Sequence, residues 1–320
     1  MSDAKRLSLI IPVLNEEETI HHFFERLEPA LTEALKLMGP DAEAEFIFVN
    51  DGSTDGTEVV IAARAHRDPR IRLINLSRNF GKEAAMAAGL DHAGGDAVIP
   101  IDVDLQDPPE VIPRMVRAWL DGAQVVNGKR ADRSTDSWAK RVTANGFYKL
   151  YNKIADHPIP ENVGDFRLMD REAVEVVRKL SEQSRFNKGL FSWIGFKVAE
   201  VEYERAPRVA GESKWPGWKL WNFAIDGIVS SSTVPLRIWT YLGALIALGA
   251  FAYAIFLILY TMFTGGDTPG FASIMVVVLF LGGLNMLSLG FLGEYVGRIA
   301  TEVRGRPLYV IASKEGFEDD

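Results

Sequence analysis

Cysteine is absent from the 320 residues, which removes disulfides, thiolate zinc sites and cysteine nucleophiles together and is compatible with a reducing compartment. Glycine-rich phosphate cradles are missing too. No G-x-G-x-x-G follows the first apolar run and no G-x-x-x-x-G-K-[ST] occurs, so a bound nucleotide would have its phosphates held by a metal and side chains. Positive charge is not in excess either, and the net charge of −8 argues against nucleic acid as a partner. The brief apolar run Leu7 to Leu14 is broken by Pro12 and lacks a small-residue cleavage site, so it reads as a first strand and not as a signal peptide.

Charge is missing altogether from two late stretches, Trp239 to Phe263 and Phe271 to Gly293, each long enough to cross a bilayer as a helix. The connection between them carries one Asp and no Lys or Arg, which predicts a membrane hairpin with helices over 238–264 and 271–293 and a periplasmic loop over 265–270. Arg237 before the hairpin and Arg298, Arg304 and Arg306 after it place both flanks in the cytoplasm by the positive-inside rule. The expected arrangement is a multi-pass membrane protein with its N-terminal domain, 1–213, and its tail, 294–320, on the cytoplasmic side. Trp215, Trp218, Trp221 and Phe223 predict an interfacial amphipathic segment over 214–237. Gly282, Gly283, Asn285 and Gly290 suggest helix–helix contact, within or between subunits, and the lack of charge inside either span argues against a transport path.

What is present upstream is a regular alternation. Apolar strands at Leu7 to Leu14, Glu45 to Asn50, Ile71 to Leu76 and Asp96 to Ile101 alternate with helical stretches, the pattern of a mainly parallel α/β sheet covered on both faces. Glu16, Glu17 and Glu18 are expected in the first turn of the first helix, where negative charge is favourable. Ligands of such sheets bind beyond the carboxyl ends of the strands. Asn15 and Glu16, Asp51, Ser77-Arg78-Asn79, and Asp102 with Asp104 all fall there.

The acidic stretch Ile101 to Glu110 is the centre of the pattern. Asp102 and Asp104 are two apart, and in an extended chain such side chains share a face. They could offer two oxygens to Mg2+ or Mn2+, or serve an ordinary loop. Asp107-Pro108-Pro109-Glu110 instead has the order of a helix start, with Asp at the N-cap, Pro at N1 and Glu at N3. Further on, Lys129, Arg130, Arg133, Lys140 and Arg141 read either as a solvated basic surface or as a phosphate site. Asp165, after a glycine, is a turn residue or a functional acid. Arg208 to Lys214, with small residues around two cations, could close over a diphosphate.

Taken in order, IPVLNEEETI, FVNDGSTDGT, SRNFGKEAAMAAGL, IDVDLQDPPEVIP, NVGDFRLMDR, AGESKWPGWKLWN, STVPLRIWTYLG and FLGEYVGRI resemble the membrane-anchored polyprenyl-phosphate glycosyltransferases of the inverting GT-A class, glycosyltransferase family 2. That family includes dolichol-phosphate mannose synthase, and the bactoprenol glucosyltransferase branch associated with O-antigen modification looks most similar. The resemblance implies a GT-A nucleotide-sugar-binding fold. It puts Pro12, Asn15, Glu16 and Asp51 around the nucleoside of a UDP-sugar, with Arg78, Lys82, Ser213 and Lys214 completing the donor site. Asp104 and Gln106 would ligate the metal directly and Asp102 through water or ribose. Arg130 and Arg141, with Lys129, would meet the lipid phosphate, and Asp165 matches the position proposed as the base. Trp215 departs from the pattern, where a smaller aromatic is common.

The implied reaction is inverting transfer of a hexose, glucose from UDP-glucose, to undecaprenyl phosphate for cell-envelope glycan modification, and the resembling branch suggests a homotetramer. An acceptor phosphate is largely dianionic near neutrality, so Asp165 is expected to position it or to stabilise the cationic sugar centre at least as much as to remove a proton. A processive polysaccharide synthase would carry Q-x-x-R-W, which is absent. A non-catalytic scaffold is the remaining rival, and the intact Asp102, Asp104, Gln106 and Asp165 speak against it.

Overall fold

The computed structural model of the chain describes residues 5–131, 152–153, 158–160, 162–180, 182, 187–204, 234–264 and 270–317. The first strand, β1 (Arg6–Val13), is buried along almost its whole length because it lies at the middle of a sheet. Its residues divide by parity. Leu7, Leu9, Ile11 and Val13 join a core with Phe24, Phe46 and Phe48, while Ile10 joins a second core with Ile47, Ile74 and Met86 on the other face. A strand covered on both faces reads as a continuous apolar run for this reason.

Parallel pairing joins β1 to β2 (Glu43–Asn50) and β4 (Ala97–Pro100), and β2 to β3 (Ile71–Leu76). β5 (Val125–Arg130) lies parallel to β7 (Val198–Tyr203), and β6 (Val163–Asp170) runs antiparallel between β4 and β5. The order is β7-β5-β6-β4-β1-β2-β3-β8, a mainly parallel mixed sheet of eight strands among the described residues. The carboxyl ends of β1 to β5 and β7 therefore share one edge with the amino end of β6.

Helices cover both faces. α1 (Ile20–Met38) buries Ile20, Phe23, Phe24, Leu27, Leu31 and Ala34, the three-to-four spacing of one helical face. It begins after the glutamates, and no acid lies in its first turn, contrary to expectation. Glu16 instead accepts the Thr19 hydroxyl at 2.8 Å, and Glu17 reaches across to the Gly56 N–H at 2.9 Å, so its charge serves the start of α2 (Thr57–Ala65). α3 (Lys82–His92) buries Ala84 to Leu90 continuously. Gly89 faces Ile10 so closely that any Cβ there would collide with it, which lets the helix sit down on β1 and holds Lys82 at the functional edge. The remaining helices of this unit among the described residues are α4 (Ile112–Leu120), α5 (Arg171–Lys179) and α6 (Asn187–Trp193).

Beyond them α7 (Val234–Thr264) and α8 (Phe271–Val303) contain stretches of mean hydropathy 2.5 and 2.2 and expose nearly all their large apolar side chains; both are long and apolar enough to cross a membrane. The predicted interfacial segment falls almost wholly outside the described residues, as does the connection 265–269. The charged tail holds a feature that sequence reading missed. After α8 the chain returns to the sheet as β8 (Ile311–Glu315), antiparallel to β3, with Tyr309, Ile311 and Phe317 packed against the second core.

Candidate active site

Three strand tips build one side of the edge through hydrogen bonds to backbone and hydroxyl groups. Asn15 takes a left-handed conformation, φ 56°, just beyond β1; its Oδ1 accepts the Thr54 N–H at 2.8 Å, and its own N–H donates to Ser53 Oγ at 3.0 Å. Asp51, at the end of β2, is buried and accepts the N–H groups of Phe80 and Gly81 at 2.7 and 2.9 Å. Burial pushes its carboxyl up, against those two bonds and the charge of Arg78. Gly52 follows at φ 73°, and a Cβ there would come within 2.7 Å of the Asn79 nitrogen, so only glycine lets the 78–79 segment lie on this turn. Arg78 is exposed and stacks over Phe80, its guanidinium 4.1 Å from the ring centroid. Each carboxylate oxygen keeps a second acceptor direction, so Asp51 can still receive a base N–H.

The acidic stretch differs in form from its prediction. β4 ends at Pro100, and 103–107 is a turn with Leu105 at φ 57° rather than an extended strand. The alternation nonetheless persists: Val103, Leu105 and Asp107 are buried while Asp102, Asp104 and Gln106 are partly exposed. The turn is tied by the Gln106 N–H donating to Asp104 Oδ1 at 3.1 Å. The expected cap is also corrected. Pro108 holds the N-cap place of the 3-10 turn Pro109–Val111 with no side-chain cap. Glu110 pairs with Arg26 at 2.7 Å, and Asp107 accepts the Tyr203 hydroxyl.

Asp165 lies in β6 and not in a turn. The antiparallel register, Ala97 to Asp170 and Val98 to Met169, leads it back toward Asp102, and Lys82 spans the two. Its Nζ is 2.6 Å from Asp102 Oδ2 and 3.4 Å from Asp165 Oδ2. Burial works against the Lys82 ammonium, but the two carboxylates outweigh it and hold its pKa above the ordinary lysine value. Burial pushes the Asp102 carboxyl up, with Lys82 opposing. Two places along β6, Arg167 is buried, donates to the Gly164 carbonyl at 2.7 Å and stacks on Phe191. Its burial lowers its pKa to about 10, with Asp165 and Glu83 pulling the other way. Asp165 thus faces two cations. Asp102, Asp107 and Asp165 share one crevice with Pro12, Met86, Pro100 and Phe166.

Tyr203 closes the far side. Its hydroxyl donates to Asp107, and burial together with the Asp107 charge raises its pKa while the nearby Arg130 opposes. Arg130 is therefore near Tyr203 and Asp107, but its neighbour Lys129 is not. Adjacent strand residues point to opposite faces, and Lys129 pairs with Glu200 at 2.7 Å. Arg141, Ser213 and Lys214 lie outside the described residues. Tyr203, Arg167 and the structural use of Asp107 escaped sequence reasoning. Tyr203 had one available signal, its place at the carboxyl end of a strand.

Among the described residues no three His, Cys, Asp or Glu side chains gather as a closed metal cluster. The acidic turn does fit an open cation site. Its donors are all oxygen, and Gln106 Oε1 is buried with no hydrogen-bond partner. Mg2+ is commonly held by one or two carboxylates, with waters and substrate phosphates filling the remaining positions.

The family model "Glycosyl transferase family 2" matches residues 8–178, which contain all these tips except Tyr203. A prophage bactoprenol glucosyl transferase homolog of Escherichia coli is 52% identical over 96% of this chain and 98% of its own length. The bactoprenol glucosyl transferase of Shigella phage SfX is 52% identical over 97% of this chain and 100% of its own. An uncharacterized glycosyltransferase of Synechocystis sp. is 49% identical over 98% and 96%. With a mainly parallel sheet that gathers its polar tips at one edge, followed by a pair of apolar helices, the chain belongs to glycosyl transferase family 2, in its GT-A-fold bactoprenol glucosyl transferase branch.

Proposed function

We propose that this protein transfers glucose from UDP-glucose to undecaprenyl phosphate at the cytoplasmic face of the bacterial inner membrane, with inversion at the anomeric carbon. The observation that carries the reading is the convergence of Asp102 and Asp165 on one crevice, with Lys82 between them and the acidic turn running on from Asp102. The names of the relatives agree with it. An acceptor phosphate oxygen forms the new bond to the anomeric carbon as the bond from that carbon to the β-phosphate oxygen of UDP breaks. Asp104 and Gln106, with Asp102 behind them, would hold Mg2+ or Mn2+, which when bound offsets charge on the departing diphosphate. Arg78 and Lys82 add positive charge on the donor side, and Ser213 with Lys214 would close over it. Arg130, near Tyr203, would offer a planar fork to the acceptor phosphate, and Arg141 would assist.

Asp165 suits a stabilising role better than that of a strong base. Its charge already faces Lys82 and Arg167, and a dianionic phosphate needs no proton removed. The membrane reading is supported by the return of the chain after α8 to the sheet as β8, as a two-span hairpin requires. Self-association, a homotetramer by family resemblance, would run through the glycine- and Asn285-bearing face of α8. The test is to incubate purified protein with undecaprenyl phosphate, Mg2+ or Mn2+ and a panel of UDP-sugars. Glycolipid formed from UDP-glucose is expected; none from any donor would sink the proposal.

A further inference from the structure

The tail strand carries a buried polar ladder into the sheet. Asn50 on β2, Asn75 on β3 and Ser313 on β8 stand opposite one another in register. The two asparagines are almost fully buried, at 3% and 5% exposure, between apolar strands. Buried amides are retained at a cost unless every group is satisfied, and these are joined in series. Asn75 Nδ2 donates to Ser313 Oγ and to Glu58 Oε1, both at 3.0 Å, while its Oδ1 accepts from Asn50 Nδ2 at 2.9 Å. Asn50 Oδ1 in turn accepts the Ser53 N–H at 3.0 Å, and Ser53 Oγ accepts the Asn15 N–H at 3.0 Å. The series runs from the segment after the apolar helices to the left-handed residue at the tip of β1.

We infer that Ser313, through Asn75 and Asn50, is a positioning residue for the nucleoside side of the donor pocket. The inference rests on the donor reading above. An amide whose oxygen and nitrogen are both engaged cannot turn over, so the Ser313 hydroxyl helps to set which way Asn75 points. Asn75 sets Asn50, and Asn50 sets the 53–54 turn that holds Asn15 on both its N–H and its Oδ1. β8 supports the same edge a second time, since the Ser77 N–H donates to the Val310 carbonyl at 2.8 Å just before Arg78. The tail is thereby part of the donor pocket without touching the donor.

The experiment uses the full chain in lipid nanodiscs and the variants Ser313→Val, which removes the acceptor and screens the site from water, and Ser313→Thr, which restores it. Three readouts are taken: UDP affinity by calorimetry, kcat for glycolipid formation, and donor-free amide hydrogen exchange at Ser53 and Asn15. Ser313→Val is expected to weaken UDP binding about fivefold with kcat changed less than about twofold, and to speed exchange at both amides, with Thr returning all three toward wild type. Unchanged exchange at Ser53 and Asn15 in Ser313→Val overturns the inference, whatever happens to Tm, as does unchanged UDP affinity where the wild type binds UDP. A wild type that binds no UDP would overturn the donor reading, and the exchange arm would still decide whether the ladder transmits.

Discussion

The two halves of the functional edge are built from different forces. At the tips of β1, β2 and β3, Asn15, Asn50, Asp51 and Asn75 are held by side-chain amides and hydroxyls, backbone N–H groups and the Glu58 carboxylate, so this half stands complete without a ligand. At β4 and β6 the side chains are charged and mutually repelling: Asp102 and Asp165 are kept together by one lysine, and Gln106 Oε1 lacks a partner. The first half is a preorganised seat, and the second is a set of charges whose balance changes when a cation or phosphate arrives. Substitutions in the charged half should therefore cost turnover, and those in the hydrogen-bonded half should cost affinity or stability.

The largest effect is expected from Asp104→Asn. Glycolipid formation should fall by a factor of roughly a thousand, equivalent to about 4 kcal/mol of barrier, while Tm stays at or above that of the wild type. A variant that kept a tenth of wild-type turnover would place the cation elsewhere. Next comes Lys82→Met, which leaves Asp102 and Asp165 without their shared counter-charge. Turnover should drop about a hundredfold. The stability loss should be smaller, on the order of 1 kcal/mol, because the lysine side chain is 43% exposed and solvent screens the pair. Millimolar Mg2+ should recover more Tm in this variant than in the wild type; equal shifts would mean that Lys82 does not occupy a cation's place.

Tyr203→Phe probes the join between the halves. It strips a donor from the buried Asp107 carboxylate, so unfolding free energy should fall by about 1 to 3 kcal/mol in denaturant titrations. Turnover should fall about tenfold as Arg130 loses the hydroxyl beside it. Loss of stability with unchanged KM for the acceptor would detach Arg130 from the lipid phosphate.

The sheet was legible because a strand buried on both faces leaves a nearly continuous apolar run, as in Leu7 to Val13 apart from Ser8 and Pro12, and because parallel pairing forces polar tips to one edge. The acidic motif was legible from composition, but its geometry was not: Leu105 adopts a left-handed turn that no apolar pattern announces. Asp107 was misread because an Asp before Pro-Pro matches a cap, whereas its partner, Tyr203, lies 96 residues away. The same distance effect hid β8. Its apolar content is only Ile311 and Ala312, and what makes it a strand is the open edge of β3, 238 residues earlier at the Asn75–Ser313 contact. Local sequence carries periodicity, but it does not carry the identity of a distant partner.

The smallest effect should come from an ion pair remote from both halves. Asp68 accepts from Arg70, which also holds Glu28, and the Arg70 hydrogen bonds keep the Asp68 carboxyl below its ordinary range. A carboxyl whose folded pKa is depressed contributes stability above its unfolded value, and that contribution disappears as pH falls through the folded value. Asp68→Asn should therefore cost about 1 kcal/mol or less at neutral pH, and the gap between variant and wild type should close below the ordinary aspartate range. Turnover and UDP affinity should both be unchanged. A drop in either would show that the opposite edge of the sheet, where the segment before β3 meets α1, feeds into the site, and the division into a preorganised and a charged half would then be too local.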